Sequence, residues 1–404
     1  MATPAQRTNT WTLNEWYDQA VAGTQGTYVG STQLWTWGSG NEGRIANNLN
    51  ENRSSPIQIA GTTWSALSTC IGASSNSNST NGKQTMLGLK SDGTAWGWGR
   101  NESGEIPVND NESYSSVKQI AGSWSALSCA YMGGLGIKTD GTLWGWGRAN
   151  YGQLGQGNPV PSQPYRSSPV QIGTSSAWKD IASGAVQDTH AIKTDGTLWG
   201  TGRNIRGCLM LNTSGVRATL GESPFGNTWS HFGEAGGLID CFAAFKTDGS
   251  LWVGGSASYG RLGLNAPGAN LSSPVQLPGN WSNICMAESA LATKTDGTLW
   301  GWGDNQNGSL GLNNRTNYSS PVQIPGSWQS STIFTNSRMS GAAKTDGTMW
   351  VWGKNQSGGW GQNGGLAGNP EGPRRSSPVQ IPGTDWIGKD VSFSYNTIAF
   401  LKEF

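Results

Sequence analysis

The 404-residue sequence predicts an all-β protein, a seven-bladed β-propeller of four-stranded blades. Three observations lead to this prediction. A tryptophan phrase recurs seven times, each repeat contains about four short strand patterns, and the two chain ends carry the two halves of one hairpin. A repeat of roughly fifty residues is typical of architectures in which each unit buries its faces against its neighbours.

Tryptophans mark the repeat at equivalent positions. The first series is Trp35, Trp96, Trp144, Trp199, Trp252, Trp300 and Trp350, and the second is Trp64, Trp124, Trp178, Trp229, Trp281, Trp328 and Trp386. Five repeats carry another tryptophan two residues after the first series, at Trp37, Trp98, Trp146, Trp302 and Trp352. These positions hold 19 of the 22 tryptophans, so we expect nearly all of the tryptophan to stabilise the scaffold.

Local patterns predict the strands of each unit. Six of the phrases follow an Asp-Gly pair, which is typical of a tight two-residue hairpin turn with positive φ at both residues. One strand precedes this turn and a second, LWGWG in the clearest copies, follows it. A third strand is predicted at SSPVQI, and a fourth begins at the second tryptophan series. Four strands repeated around an axis form a propeller.

The chain ends predict how the ring closes. The segment from Thr397 to Phe404 matches the strand before the turn, whereas Gln33 to Trp35 matches the strand after it. We therefore expect the C-terminal strand to pair with the N-terminal strand of the first blade. This divides the chain into a leader at residues 1–32 and a propeller at residues 33–404.

At this point the sequence resembles the regulator of chromosome condensation repeat family, whose members are seven-bladed propellers. The resemblance rests on TDGTLWGWG, on NYGQLG from Asn150 to Gly155, and on SSPVQI. The fourth unit departs from the pattern at Thr201, and the fifth has Gly254 at the second tryptophan position. The Trp-rich units and the leader are also similar to propeller proteins of marine tailed bacteriophages. The family resemblance implies three precedents: nucleotide exchange on a small GTPase, inhibition of β-lactamase, and structural or adhesive roles.

Composition argues against several classes of partner. The net charge is +1 and only 13% of the residues are charged, so we expect no nucleic-acid binding, which needs a concentrated positive field. No run of eighteen apolar residues occurs, so we expect no membrane insertion. The five cysteines, at positions 70, 129, 208, 241 and 285, are expected to be small buried side chains rather than disulfides or metal ligands.

No catalytic, cofactor-binding or metal-binding residue is predicted. His190 and His231 lie in different repeats without a catalytic motif, and we expect them to be satisfied polar side chains. Turn geometry explains the repeated aspartates without a metal. The Gly-rich phrase after each hairpin precedes a turn and another strand, whereas a dinucleotide site requires a helix there.

Departures from the repeat are the candidate partner-binding residues. Arg100, Arg148 and Arg203 occupy equivalent positions and are expected to form an arc on one face; the alternative is a solvated face neutralised by Glu102, Glu105, Asp110 and Glu112. In the leader, Trp11, Trp16 and Tyr17 are candidate interface anchors, or they fold back onto the propeller. The loop from Gly358 to Arg375 adds Trp360, Arg374 and Arg375, with core packing as the alternative for Trp360.

These observations predict a non-catalytic structural or protein-interaction propeller. Low charge, abundant Gly, Ser, Thr and Asn, and the aromatic leader favour a bacteriophage virion component in a capsid decoration, tail or baseplate. Its partners would be other virion proteins or copies of itself, and its location the virion, assembled in the host cytoplasm. The alternative is a cell-surface adhesin or carbohydrate-binding module that uses Trp360 or Tyr318 on a glycan. Nucleotide exchange and enzyme inhibition are less favoured.

Overall fold

The computed structural model describes residues 32–69, 84–130, 132–157, 165–184, 187–235, 240–266, 268, 270–336, 338–355, 374–384, 386, 388–393 and 397–403. Within these ranges the chain forms seven sheets, each containing four antiparallel strands, arranged as the blades of a propeller; one sheet has a short fifth strand. The first strands of neighbouring blades contact one another and line the axis, while the SSPVQI strands lie at the rim. This confirms the predicted fold class.

The strands follow the repeat along the chain. Blade 1 contains β1 (Thr32–Gly38) and β2 (Arg53–Ile59); blade 2, β3 (Trp64–Thr69), β4 (Thr85–Lys90), β5 (Ala95–Gly99) and β6 (Tyr114–Ile120); blade 3, β7 (Trp124–Ala130), β8 (Gly133–Lys138), β9 (Leu143–Gly147) and β10 (Arg166–Gln171). Blade 4 contains β11 (Trp178–Ser183), β12 (Asp188–Lys193), β13 (Leu198–Gly202) and β14 (Arg217–Glu222); blade 5, β15 (Trp229–Phe232), then after the short β16 (Glu234–Ala235), β17 (Cys241–Lys246), β18 (Leu251–Gly255) and β19 (Leu271–Leu277). Blade 6 contains β20 (Trp281–Met286), β21 (Ser289–Lys294), β22 (Leu299–Gly303) and β23 (Tyr318–Ile324). The short strand β16 also belongs to this blade, where it pairs in parallel with β20. Blade 7 contains β24 (Trp328–Thr335), β25 (Met339–Lys344), β26 (Met349–Lys354) and β27 (Arg374–Gln380).

Blade 1 is completed by β28 (Gly388–Phe393) and β29 (Thr397–Glu403) from the C-terminal end of the chain. Strand β29 pairs antiparallel with β1 along its whole length, from Thr32 opposite Glu403 to Gly38 opposite Thr397. The predicted closure of the ring is therefore confirmed.

The hydrophobic core is divided among the blade interfaces. Each of seven buried clusters combines side chains from two adjacent blades, as where Leu87 and Ile106 of blade 2 pack against Trp124 and Trp146 of blade 3. The tryptophan two residues after the first series also donates its indole N–H to a loop carbonyl of the preceding blade, at 2.7–2.9 Å: Trp98 to Arg44, Trp146 to Glu105, Trp302 to Arg261 and Trp352 to Ser309. The repeated tryptophan thus joins blades by both burial and hydrogen bonding.

Blades 4 and 5 lack this tryptophan and use other side chains. In blade 4, Thr189 donates its hydroxyl to Gln153 O, which is equivalent to the indole acceptors, and Thr201 donates to the adjacent Gly152 O, both at 2.9 Å. In blade 5 the sulfur and methyl of Met210 fill the space beside Gly254, since a Cβ at Gly254 would lie 2.5 Å from both. His190 Nε2 hydrogen-bonds to Cys208 O at 2.9 Å, in agreement with its predicted role as a satisfied polar side chain.

A second set of contacts joins the blades near the rim. Asparagines with positive φ in the loop of one blade donate their N–H to a serine carbonyl in the outer strand of the next: Asn48 to Ser115, Asn109 to Ser167, Asn212 to Ser272, Asn265 to Ser319 and Asn313 to Ser376. These serines belong to the SSPVQI segment or its equivalent. A main-chain hydrogen bond between blades thus recurs at these serines, and in blade 6 it lies beside a bulge where the outer strand shifts register.

The Asp-Gly hairpins differ from the sequence prediction in their geometry. Gly93 has a φ of +81°, but Asp92 does not have a positive φ, and Lys90 N–H donates to Thr94 O at 2.9 Å across a three-residue loop. Asp92 accepts hydrogen bonds from Thr94 N–H and Oγ1–H, and these bonds lower the pKa of its carboxyl group. The prediction of a two-residue turn was therefore wrong. The loop has three residues, and the threonine after the glycine hydrogen-bonds to the aspartate side chain within it.

The same loops hold a lysine between two tryptophans. Lys294 Nζ lies 3.9 Å from the Trp300 ring centre and 5.3 Å from that of Trp281, and the five other hairpin lysines of blades 2 to 7 repeat this arrangement. Thr298 Oγ1 accepts from the Trp300 indole at 2.8 Å. The Lys-x-Asp-Gly-Thr-x-Trp phrase is thus a structural unit of cation–π and hydrogen-bond contacts.

Side chains also link the inner strands around the axis. Asp390 of blade 1 accepts a hydrogen bond from Leu67 N–H of blade 2 at 2.7 Å, and Asp180 of blade 4 accepts one from Phe232 N–H of blade 5 at 2.7 Å. Burial raises the pKa of Asp390 to about 6, although the amide hydrogen bonds from Leu67 and Val391 oppose this shift. We therefore expect Asp390 to make the stability of the closed ring depend on pH.

We predict that Asp390→Asn removes one pH-dependent contribution to stability. Because the folded-state pKa exceeds the unfolded value of roughly 4, this contribution is present below pH 4 and is lost as the pH rises through 6. The variant should be more stable than the parent at pH 7 by about 1 to 2 kcal/mol, and the gap should close at pH 4. Urea unfolding at both pH values measures this, and a gap independent of pH would contradict it.

Candidate interaction face

The two faces of the ring carry different parts of the repeat. The Asp-Gly hairpins form one face, and the third strands of the blades end at the other, which we call the loop face. At the loop face of each of blades 2 to 7, a main-chain N–H after the third strand donates to the main-chain carbonyl of the residue before the second strand. These bonds run from Arg100 to Gln84, Arg148 to Met132, Arg203 to Gln187, Ser256 to Asp240, Asp304 to Glu288 and Lys354 to Arg338. The three predicted arginines thus occupy equivalent backbone positions on one face.

Each loop then makes a tight turn with two residues at its tip. The glycine at its end donates N–H to the carbonyl three residues earlier, at 2.9–3.1 Å, in blades 1 to 6. In three of them an asparagine side chain fixes the turn from within; Asn305 accepts from Leu310 N–H and donates to Asn314 O. The two central residues of the turn, the tip residues, form a different pair in each blade: Asn41 and Glu42, Glu102 and Ser103, Asn150 and Tyr151, Ile205 and Arg206, Ser258 and Tyr259, Gln306 and Asn307. All of them except the buried Ser103 are at least partly exposed.

Arg100 does not lie on the surface, which corrects its place in an exposed arc. It is 2% exposed, its Nη1 lies 2.8 Å from the buried Glu105 carboxylate, and its Nη2 hydrogen-bonds to Glu102. Burial raises the pKa of Glu105, which the charge of Arg100 and the amide of Ser103 oppose. The neutralisation expected from Glu102 and Glu105 is present, whereas Asp110 instead accepts from Tyr114 and Asn101.

Arg148 and Arg203 are partly exposed and have separate environments. Arg148 donates to the Asn150 amide oxygen from Nε and Nη2 at 2.8 and 2.7 Å, and its Nη1 lies 3.2 Å from Met132 Sδ. Arg203 lies over the Tyr151 ring, with its guanidinium carbon 5.9 Å from the ring centre, and its Nη1 is 3.6 Å from Asp240. Their role in binding a partner remains a prediction.

The structure brings Arg203 together with residues that sequence reasoning missed. Arg206 pairs with Asp240 at 3.2 Å and donates to Ser256 and Ser258, which places it beside Tyr259 of the next blade. Ile205 and Tyr259 are 53% and 50% exposed, more than most large apolar side chains of the described chain. Their position as tip residues of the repeated loop was the signal that could have identified them.

The remaining candidates are not part of this cluster. Arg374 and Arg375 are exposed at the start of β27, on blade 7. Trp11, Trp16, Tyr17 and Trp360 lie outside the described residues. Tyr318, the proposed sugar platform, is half-buried against the core, and its hydroxyl accepts from Asn314 Nδ2 at 3.1 Å. His231 stacks on Phe245 with ring centres 4.7 Å apart.

The cysteines were predicted to be small buried side chains rather than disulfides or metal ligands. Cys129, Cys208, Cys241 and Cys285 are buried thiols, as expected, and burial raises the pKa of Cys241 to about 11. Cys70 lies outside the described residues. Across the ranges that the structure describes, no three His, Cys, Asp or Glu side chains are grouped so as to hold a metal ion. Those ranges also contain no helix of the length and apolarity needed to cross a bilayer.

Together these features define a seven-bladed propeller with a constant frame and variable loop tips on one face. The model of the regulator of chromosome condensation (RCC1) repeat matches residues 140–186 and 296–333. No curated protein sequence matches the chain.

Solved structures of the same fold include human WBSCR16, with a TM-score of 0.76, 17% identity, and coverage of 92% of this chain and 99% of that chain. Prp20p from Saccharomyces cerevisiae gives a TM-score of 0.73 at 17% identity and covers 92% of each chain. Yeast RCC1 (Prp20) bound to Kap60 gives a TM-score of 0.71 at 16% identity, with 100% of this chain and 95% of that chain covered. At these identities the likeness shows the fold alone.

Proposed function

We propose that this protein is a non-catalytic interaction propeller that forms part of a bacteriophage particle, as a capsid decoration, tail or baseplate component. The observation that carries the interaction role is the contrast between a repeated loop frame and tip residues that differ in each blade. A constant frame that presents different side chains at equivalent points suits recognition by a partner. Recognition of this kind requires no catalytic residue at the site.

Two further points support the proposal. The interactions of the repeat are used to hold the ring together, since the repeated tryptophans, lysines and serines all contact neighbouring strands or blades. The low charge and the Gly-, Ser- and Asn-rich composition suit a rigid structural component. Prp20p, which has the same fold, is described through its binding to Gsp1p and histones, an example of this fold used for protein binding.

The virion assignment predicts that the protein is present in purified particles at a fixed copy number. Quantitative mass spectrometry of particles from the phage that encodes the chain, with the major capsid protein as internal standard, measures this number. A reproducible ratio after density-gradient purification supports the proposal. Absence from the particles, with the protein found only in the infected-cell lysate, would overturn the virion role.

A further inference from the structure

Five side chains on the loop face of blades 3 to 5 form one continuous surface, which we call the Tyr-Arg patch: Tyr151, Arg203, Ile205, Arg206 and Tyr259. Contacts connect its members across the blade boundaries. Arg203 lies over the Tyr151 ring, and Arg206 donates to Ser258 Oγ at 3.3 Å, next to Tyr259. The patch therefore combines two aromatic rings, one aliphatic side chain and two guanidinium groups.

One buried carboxylate positions both arginines. Asp240 is 3% exposed, and its two oxygens lie 3.6 Å from Arg203 Nη1 and 3.2 Å from Arg206 Nε. The side chains of Arg203 and Arg206 are 25% and 42% exposed, so each keeps part of its guanidinium group at the surface. Because the two guanidinium groups share one carboxylate, together they carry one more positive charge than their common partner, which is the positive surplus of the patch.

The surplus distinguishes this patch from the equivalent site in blade 2. There Arg100 is buried among Glu42, Glu102 and Glu105, so no net positive charge is presented. None of the tip residues of blades 3 to 5 is acidic. Arginine and tyrosine are enriched where protein partners bind, because they combine contact area with fixed hydrogen-bond donors.

We propose that the Tyr-Arg patch binds an acidic segment of a protein partner. An aspartate or glutamate of that segment pairs with Arg203 and Arg206, whose planar donors match a carboxylate, and a neighbouring apolar side chain covers Ile205 and Tyr259. Ile205 favours a protein over a glycan, since it offers a sugar neither a hydrogen bond nor a ring face. This inference rests on the proposed interaction role and names its partner chemistry.

The test uses the full-length protein and fluorescein-labelled twelve-residue peptides that contain Asp or Glu together with Leu or Phe, with Asn/Gln versions as controls. We expect binding by fluorescence anisotropy to the acidic peptides only, weakening as salt rises. Arg203→Gln with Arg206→Gln should weaken it at least tenfold. The matched control is Arg53→Gln with Arg315→Gln, which removes the same charge from arginines on blades 1 and 6, outside the patch, and should change affinity less than twofold.

Removing the arginines leaves Asp240 buried without its partners, so a second variant tests the patch without disturbing the fold. Ile205→Glu places a negative charge at an exposed tip and should also abolish binding while leaving the unfolding midpoint unchanged. Equal losses in the patch and control variants, equal binding of the Asn/Gln peptides, or binding of acidic glycans alone on an array would each overturn the inference. The copy number in particles is measured separately, so either proposal can fail without the other.

Discussion

Gly308→Ala is expected to destabilise the propeller by about 2 to 4 kcal/mol, the sum of backbone strain and a steric clash. Gly308 has a φ of +78°, and a Cβ there would lie 2.8 Å from Ser376 Cα in the outer strand of blade 7 and 3.0 Å from Arg375 O. Neither neighbour is a flexible side chain, so the two blades would have to separate. Chemical denaturation of the purified variant measures the loss.

Gly297→Ala is the matched control for this prediction. Gly297 has nearly the same φ, +79°, but its Cβ would meet no heavy atom of the described residues within 4 Å, apart from its own chain neighbours. It should therefore cost only the strain of the left-handed conformation, about 1 kcal/mol. Equal losses for the two variants would mean that the close approach of the loop to the next blade does not stabilise the ring.

Replacement of Arg100 by methionine is expected to cost about 3 kcal/mol or more, because the buried Glu105 carboxylate then loses its nearest positive charge. Unlike a surface ion pair, the Arg100–Glu105 pair is almost fully removed from water. Replacing both residues by methionine should recover most of the loss, since no unpaired charge is then left at that site. Guanidinium unfolding of the two single variants and the double variant gives the coupling energy.

Glu102→Gln provides the comparison within the same cluster. Glu102 also pairs with Arg100, but its side chain is 61% exposed, so the change should cost less than about 1 kcal/mol. If Arg100→Met were as mild as Glu102→Gln, or if the double variant were no better than Arg100→Met, the buried pair would not be the source of the stability assigned to it.

The repeat made most of the architecture predictable. Trp300 and its equivalents indicated the blade count, and the match of Thr397 to Phe404 with the strand before the hairpin indicated the closure. Both inferences use only order and spacing along the chain, which a periodic sequence records directly. The hairpin geometry at Asp92 was harder to predict from the sequence, since it involves a hydrogen bond from the Thr94 side chain as well as the Asp-Gly pair.

The candidate site could be predicted only in part, because charge in the sequence does not record burial. Arg100, Arg148 and Arg203 have the same repeat position, yet Arg100 is enclosed by carboxylates from its own loop and from blade 1. Arg203 meets a different set because Tyr151 and Asp240 come from the blades on either side. These contacts between blades join residues up to 58 positions apart, as Glu42 and Arg100 are, and no local pattern shows them.

Hydrogen–deuterium exchange of the propeller, alone and bound to the acidic peptide of the binding test, tests the account most directly. We predict protection of the loop-face segments 150–152, 204–207 and 257–260, with the Asp-Gly hairpins unchanged, because the variable tips lie on one face and the hairpins on the other. Protection confined to the hairpin face, with exchange at all three loop segments unaltered, would contradict recognition through the loop face.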